Sequence, residues 1–253
     1  MNQTFPNVLN DAIQKQPYPL LFTTISGAHL YGFPSKDSDY DLRGVHILPI
    51  TEAIGLYAPK ETIELSEIKS KIQIDLVTHD IKKFCLLLLK RNGYVLEQLY
   101  SPLIVQTTPE HRELKEIAVN CITRFHSYHY RGFAKNQWHI LTKSDAITAK
   151  SLLYLYRVLL TGIHLMRTGI IEANLVNLNH EFQLPYIPNL IEQKVLGEEK
   201  SSLQNSDLDF HDREYQRLQQ ELAIASQNSH LPTETKAKPK LDRFLVRLRT
   251  QRN

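Results

Sequence analysis

The sequence predicts an α/β lobe, a small mixed sheet with helices, followed by an all-helical lobe. Three observations carry that expectation. Up to about residue 107, apolar runs with strand character alternate with a helical run. Beyond Pro109 the periodicity is helical and strand signals almost vanish. Within the first region, aspartates stand at every second position at the start of one early strand, where they are poor strand formers and repel one another.

Taken in order, residues 5–16 read as a first amphipathic helix, stopped by Pro17 and Pro19, which cannot continue it. PLLFTTIS, 19–26, reads as a buried strand. Gly27 and Gly32 bracket a tight connection that continues as loop through Pro34, Ser35 and Lys36. DYDLRGVHILP, 39–49, alternates as a second strand, with Asp39 and Asp41 on one face and Leu42 on the other. A surface excursion over 51–69 ends in a short edge strand. KIQIDLVTHD, 71–80, is a strand with Ile72, Ile74, Leu76 and Thr78 on one face and Gln73, Asp75 and Val77 on the other. Asp80 then caps a helix that runs to Gly93, its C-terminal stop.

Helical periodicity follows over 109–125, 126–141, 147–168 and 206–227, with Pro-containing breaks near 185 and 188. Residues 226–240 are polar and contain proline, and read as a mobile connection to a short basic helix over 241–252. The expected domains are therefore 1–107 and 108–253, with no internal repeat.

The chain of 253 residues carries a net charge of +3, which permits a polyanionic partner without demanding one. Its two cysteines, Cys85 and Cys121, lie in apolar helical contexts with no metal-type spacing, which suits a reduced, cytoplasmic setting. The N-terminus lacks the organisation of a signal peptide, and the longest apolar stretch is interrupted by Arg157, Gly162 and His164, so no membrane span is expected.

Three carboxylates, Asp39, Asp41 and Asp75, are the candidate catalytic and metal-binding set. Hard Mg²⁺ prefers carboxylate oxygens and keeps several waters, so three aspartates with substrate phosphates suffice, and Mn²⁺ fits the same donors. The run SGAHLYGFPSKDSDYDLRG resembles the signature of the DNA polymerase β-type nucleotidyltransferases: a glycine, a spacer, Asp-x-Asp, and a third acid on a later strand. Tyr31-Gly32, Ser38-Asp39-Tyr40-Asp41 and Leu42-Arg43-Gly44 resemble, more narrowly, the RNA repair pathway polymerase-β-like family.

That resemblance implies that residues 1–107 form the nucleotidyltransferase domain. It makes Asp39 and Asp41 shared metal ligands and Asp75 the third carboxylate, on the acceptor side. Gly27 would let backbone amides approach the β and γ phosphates. The serine that the pattern carries next is Ala28 here, so Ser26, His29 or Ser38 would have to supply its hydroxyl or an equivalent contact. The implied reaction moves a nucleoside monophosphate from an NTP or dNTP to an acceptor hydroxyl, an RNA or other polynucleotide 3′ end, in repair or processing. Two alternatives stay open: a nucleotide-binding or regulatory module of weakened turnover, and nucleotidylation of a protein or small-molecule hydroxyl.

On the helix over 147–168, Lys150, Tyr154, Arg157 and Thr161 form one stripe among apolar residues. Such a stripe would face an anionic group, with the triphosphate as natural ligand for Lys150, Tyr154 and Arg157, or Arg157 would pair with a structural acid. Arg124, Tyr128, Arg131 and Lys135 repeat the spacing, either as a second phosphate-facing wall or as a solvated face. The basic residues of 236–249 suit nucleic-acid phosphates or plain solvation. Arg157 and His164 also match a loose ribonuclease-type Arg/His spacing, which arises easily by chance.

Overall fold

The structure, a computed structural model, describes residues 5–143, 147–196 and 205–251. It divides into two compact units. One comprises Met1–Leu30, Ser38–Ile122 and Glu234–Asn253; the other comprises Tyr31–Asp37 and Thr123–Thr233.

The first unit is built on a five-stranded sheet of order β3-β4-β2-β1-β5, with β1 Leu20–Ile25, β2 Tyr40–His46, β3 Thr62–Lys69, β4 Ile72–Asp80 and β5 Ile104–Thr107. The sheet is mixed: β2 and β4 are parallel, and every other neighbouring pair is antiparallel. Helix α1, Val8–Gln14, lays Leu9, Ala12 and Ile13 against Leu20, Ile25, Leu42, Ile74 and Leu76, which form one core. Because side chains alternate along a strand, burying Leu42, Ile74 and Leu76 on that side turns Asp41 and Asp75 to the opposite face.

Several local expectations change. The Gly27–Gly32 connection contains a short helix, α2, Gly27–Tyr31. A second short helix, α3, spans Ile50–Ile54, and the edge strand β3 is eight residues long. Asp80 does cap α4, Ile81–Leu89, accepting from the Lys82 amide at 3.0 Å. Gly93 is not its stop: Arg91 makes the left-handed turn at φ 62°, and Gly93 opens α5, Gly93–Tyr100. Asn92 caps that helix by accepting from the Tyr94 amide at 2.9 Å. The four-residue β5 was not legible; it is too short to show a period. Helix α6, Pro109–Ala118, has Thr108 as its N-cap and Pro109 in its first turn, and it belongs to this unit.

The second unit is helical: α7 His126–Lys143, α8 Ala149–Thr168, α9 Leu175–Phe182, α10 Tyr186–Val195 and α11 Asn205–Gln227. Helix α8 is buried along nearly its whole length, opened by a Thr148–Ser151 capping box and closed by Gly169 at φ +75°. The stretch expected only as breaks between 168 and 206 holds α9 and α10. The segment 31–37 is part of this unit. Tyr31 and Phe33 are buried and meet the Tyr154 ring edge-on, at 5.6 and 5.7 Å between centroids. Lys194 Nζ donates to Ser35 Oγ at 2.7 Å.

The chain then returns to the first unit as α12, Lys238–Gln251, burying Leu241, Phe244 and Leu248. Arg252, the last residue of the expected C-terminal helix, lies outside the described residues. Arg249 forms a buried ion pair with Asp80, at 2.6 and 2.7 Å, and donates to the Leu48 carbonyl. The expected domain bounds of 1–107 and 108–253 thus give way to a first unit that includes both α6 and α12. Of residues 226–240, expected as a mobile connection, 226–227 end α11, 238–240 begin α12, and 228–237 between them are anchored. In the second unit Ser229 Oγ donates to Met166 O at 2.6 Å and Arg124 donates to Ser229 O at 2.7 Å. In the first, Thr235 Oγ1 donates to Asn120 O at 2.8 Å.

Candidate active site

The central fact of the site is a register. β2 and β4 run side by side in parallel with Asp41 opposite Asp75. Both carboxylates project from the face away from the α1 core, on strands about 4.8 Å apart. Like charges so placed repel, and the sequence continues its period of two to answer them. Arg43, two residues after Asp41, lies on the same face.

The Arg43 guanidinium makes four hydrogen bonds: to Asp41 Oδ1 at 2.7 Å, Asp75 O at 2.8 Å, Leu42 O at 2.9 Å, and Tyr94 Oη at 3.0 Å. It therefore neutralises Asp41 and ties β2 to β4 at the level of the acid pair. Burial opposes its charge, and the neighbouring Tyr94 and Asp41 more than offset that, raising its pKa. Neither Arg43 nor Tyr94 was among the expected functional residues. The alternation 39, 41, 43 was the available signal for Arg43; Tyr94 had none.

The second oxygen of Asp41 is held by shape. Gly27 has φ +62°, and a Cβ there would lie 2.0 Å from Asp41 Oδ2, so only glycine leaves room for this carboxylate. The Ser26 amide donates to Asp41 O at 2.8 Å, docking the end of β1 on the start of β2. Ser26 itself is fully buried, which corrects its expected contact with nucleotide: it ends a buried strand and cannot reach solvent. His29 stacks on Tyr40 with ring centroids 4.1 Å apart, and Ser38 is half-buried one residue before Asp39. Ala28 is 9% exposed, so a hydroxyl there would face packing as well as solvent.

Asp39 lies just outside β2 and is exposed; Asp75 is half-buried and accepts from Gln73 Nε2 at 3.3 Å. Among the described residues, no three His, Cys, Asp or Glu side chains are drawn together as a ready metal cluster. Asp39, Asp41 and Asp75 do not form such a cluster, and Asp41 is engaged by Arg43. The donor set nevertheless suits a hard divalent ion, which takes one or two carboxylates and completes its shell with water and substrate phosphate.

The profile of the RNA repair pathway DNA polymerase beta family matches residues 1–247. The chain belongs to that family. A Methanocaldococcus jannaschii protein, MJ0002, is 35% identical over 151 residues, 59% of this chain. The match spans 61% of that relative's length. A nucleotidyltransferase-like protein from Exiguobacterium sibiricum aligns over 98% of this chain and 79% of its own, at 12% identity and a TM-score of 0.33.

In this polymerase β-type chain the residues expected from α8 lie in the second unit. Lys150 is exposed. Tyr154 packs edge-on against Tyr31 and Phe33, and Arg157 is 3% exposed with its guanidinium 4.0 Å over the Tyr31 ring. Tyr154 and Arg157 thus hold segment 31–37, a packing role that corrects the expected phosphate stripe; spacing revealed the shared face but not that it is dry. Arg124 is likewise structural. His129 is pushed down to about 4, first by burial and then by Arg157, which keeps it neutral and unlike a surface histidine. His164 pairs with Glu181 at 2.7 Å. Burial pushes Cys85 up to about 12 and Cys121 up to about 11, so both thiols are inert. No helix among the described residues is long and apolar enough to cross a membrane.

Proposed function

We propose that the protein transfers a nucleoside monophosphate from an NTP or dNTP to an acceptor hydroxyl, with an RNA or other polynucleotide 3′ end as the acceptor in repair or processing. The observation that carries this reading is the register of Asp41 with Asp75, with Gly27 packed against the Asp41 carboxylate. Adjacent strands thereby present two acids on one face, beside a glycine backbone with no side chain in the way.

Asp41 and Asp75, with Asp39 closing from the loop, would hold Mg²⁺ or Mn²⁺. When bound, such an ion supplies charge neutralisation at the transferring phosphoryl group and lowers the pKa of the attacking hydroxyl. Asp75 would accept the proton of that hydroxyl, and Asp41, with its Oδ2 side seated against Gly27, would serve as a ligand of the ion. His29, on α2 of the same unit, would contact the rest of the triphosphate.

The test is incorporation of α-labelled nucleotide, with each NTP and dNTP, Mg²⁺ or Mn²⁺, and RNA, DNA or no acceptor. Label on RNA that disappears in Asp41→Ala with Asp75→Ala, at unchanged far-UV circular dichroism, supports the reading. Undiminished incorporation by that double variant overturns it, and label on the protein itself moves the acceptor to a protein hydroxyl.

A further inference from the structure

We infer that Arg43 is a built-in stand-in for a divalent cation: it occupies Asp41 until a nucleotide-borne ion replaces it, so the free site binds ions weakly. The inference rests on the transfer reading above for the identity of the ion, and on Arg43 geometry for everything else.

Arg43 is bound in two distinct ways. Three of its four contacts are to groups that carry no formal charge: Leu42 O, Asp75 O and Tyr94 Oη. The fourth, to Asp41 Oδ1, is its one bond to a carboxylate among the described residues. An ion that binds Asp41 must therefore take Oδ1 from the guanidinium, because Oδ2 is packed against Gly27. The other three bonds keep the guanidinium in place once Oδ1 is released. Arg43 and Asp41 side chains are 16% and 28% exposed, so the bond between them is open to a competing solute.

Electrostatics sets the direction. A divalent cation approaching Asp41 and Asp75 meets a fixed positive charge on the same face, which lowers its affinity. A triphosphate brings its own negative charges and supplies further oxygen ligands. The ion and nucleotide together can then displace the contact where the ion alone cannot. The free protein is also spared an uncompensated pair of acids on adjacent strands.

The experiment is a Mn²⁺ and Mg²⁺ titration without nucleotide, read by thermal melting of the wild type, Arg43→Met, Arg43→Lys, and Arg43→Met combined with Asp41→Asn. A ligand that binds only the native state raises the melting temperature in proportion to its affinity. Wild type and Arg43→Lys should respond weakly. Arg43→Met should bind Mn²⁺ about tenfold more tightly or better, the effect of removing one like charge at contact distance. Adding Asp41→Asn should abolish the gain.

An equal response in wild type and Arg43→Met, or a gain that survives Asp41→Asn, overturns the inference. Should Arg43→Met not fold, Arg43→Gln takes its place in the same comparison. Transfer is measured in parallel. Tighter ion binding in a variant of a protein that transfers no nucleotide upholds the stand-in and sinks the transfer reading; transfer by a wild type whose ion affinity is indifferent to Arg43 does the reverse.

Discussion

Replacing Arg249 by alanine should be among the most damaging single changes available in the first unit. Its side chain is 8% exposed and that of its partner Asp80 is 2% exposed. Removing one member of a buried pair strands the other, a loss of about 3–5 kcal/mol. Asp80 keeps two other donors, the Leu48 amide at 3.2 Å and the Lys82 amide at 3.0 Å. That places the expected cost near the lower bound, about 3 kcal/mol. For a chain of this size the melting temperature should fall by about 6–12 °C. Urea denaturation followed by far-UV circular dichroism measures the loss, and hydrogen exchange at the first-turn amides of α4 localises it to the first unit. Asp80→Asn with Arg249→Met should cost less than the sum of the single changes, because neither leaves a buried charge. A loss below about 1 kcal/mol for Arg249→Ala, or strictly additive effects, would show that the pair does not hold α12 in place.

Gly27→Ala should leave the fold intact but cut transfer by about 100-fold. Its Cβ would stand 2.0 Å from Asp41 Oδ2 and displace that carboxylate by an ångström or so; wild-type turnover in that variant would refute the positioning argument. A pH dependence follows from His46 and His111, both held down to about 4, chiefly by burial. Each is neutral in the native state, with a folded pKa below its unfolded value of about 6.5. Their contribution to stability is complete above about pH 6.5 and is lost as pH falls from there towards 4. His111 Nε2–H donates to Leu99 O at 3.2 Å, which leaves Nδ1 to accept from Thr107. In His111→Gln the fall in denaturation midpoint across that window should be shallower; an unchanged slope would remove His111 from the account.

What could be read beforehand follows from how far along the chain each signal reaches. Asp39, Asp41 and Asp75 were found because an acid in an apolar, period-two segment is conspicuous by itself. Their grouping came from the resemblance, and their register was not legible, since the Asp41–Asp75 pairing depends on the β3–β4 hairpin that brings β4 beside β2. That hairpin turns on Ser70 and Lys71, at φ 51° and 64°, without the glycine or asparagine that usually marks such a turn. The stripe of Lys150, Tyr154 and Arg157 failed for another reason. Helical spacing shows which residues share a face, but Arg157 is dry because Tyr31, over a hundred residues earlier, lies under its guanidinium.

Two acids of the sheet, Asp80 on β4 and Asp41 on β2, show how one device serves two ends. Asp80 and the Asp41–Asp75 pair each meet an arginine from a different place in the chain, Arg249 and Arg43. The first arginine is sealed from water at 8% exposure, against a carboxylate at 2%, and its charge has no competitor. The second is 16% exposed against a carboxylate at 28%, within reach of dissolved ions. Exposure thus separates a structural counter-ion from an exchangeable one where sequence could not, since Arg249 read as one more residue of a basic helix and Arg43 as one more position of an alternating strand. It also orders the two perturbations. Loss of Arg249 should appear in stability and leave ion affinity alone; loss of Arg43 should appear in ion affinity at a smaller cost in stability. A large stability loss at Arg43, with ion affinity unchanged, would mean that the two arginines do the same work.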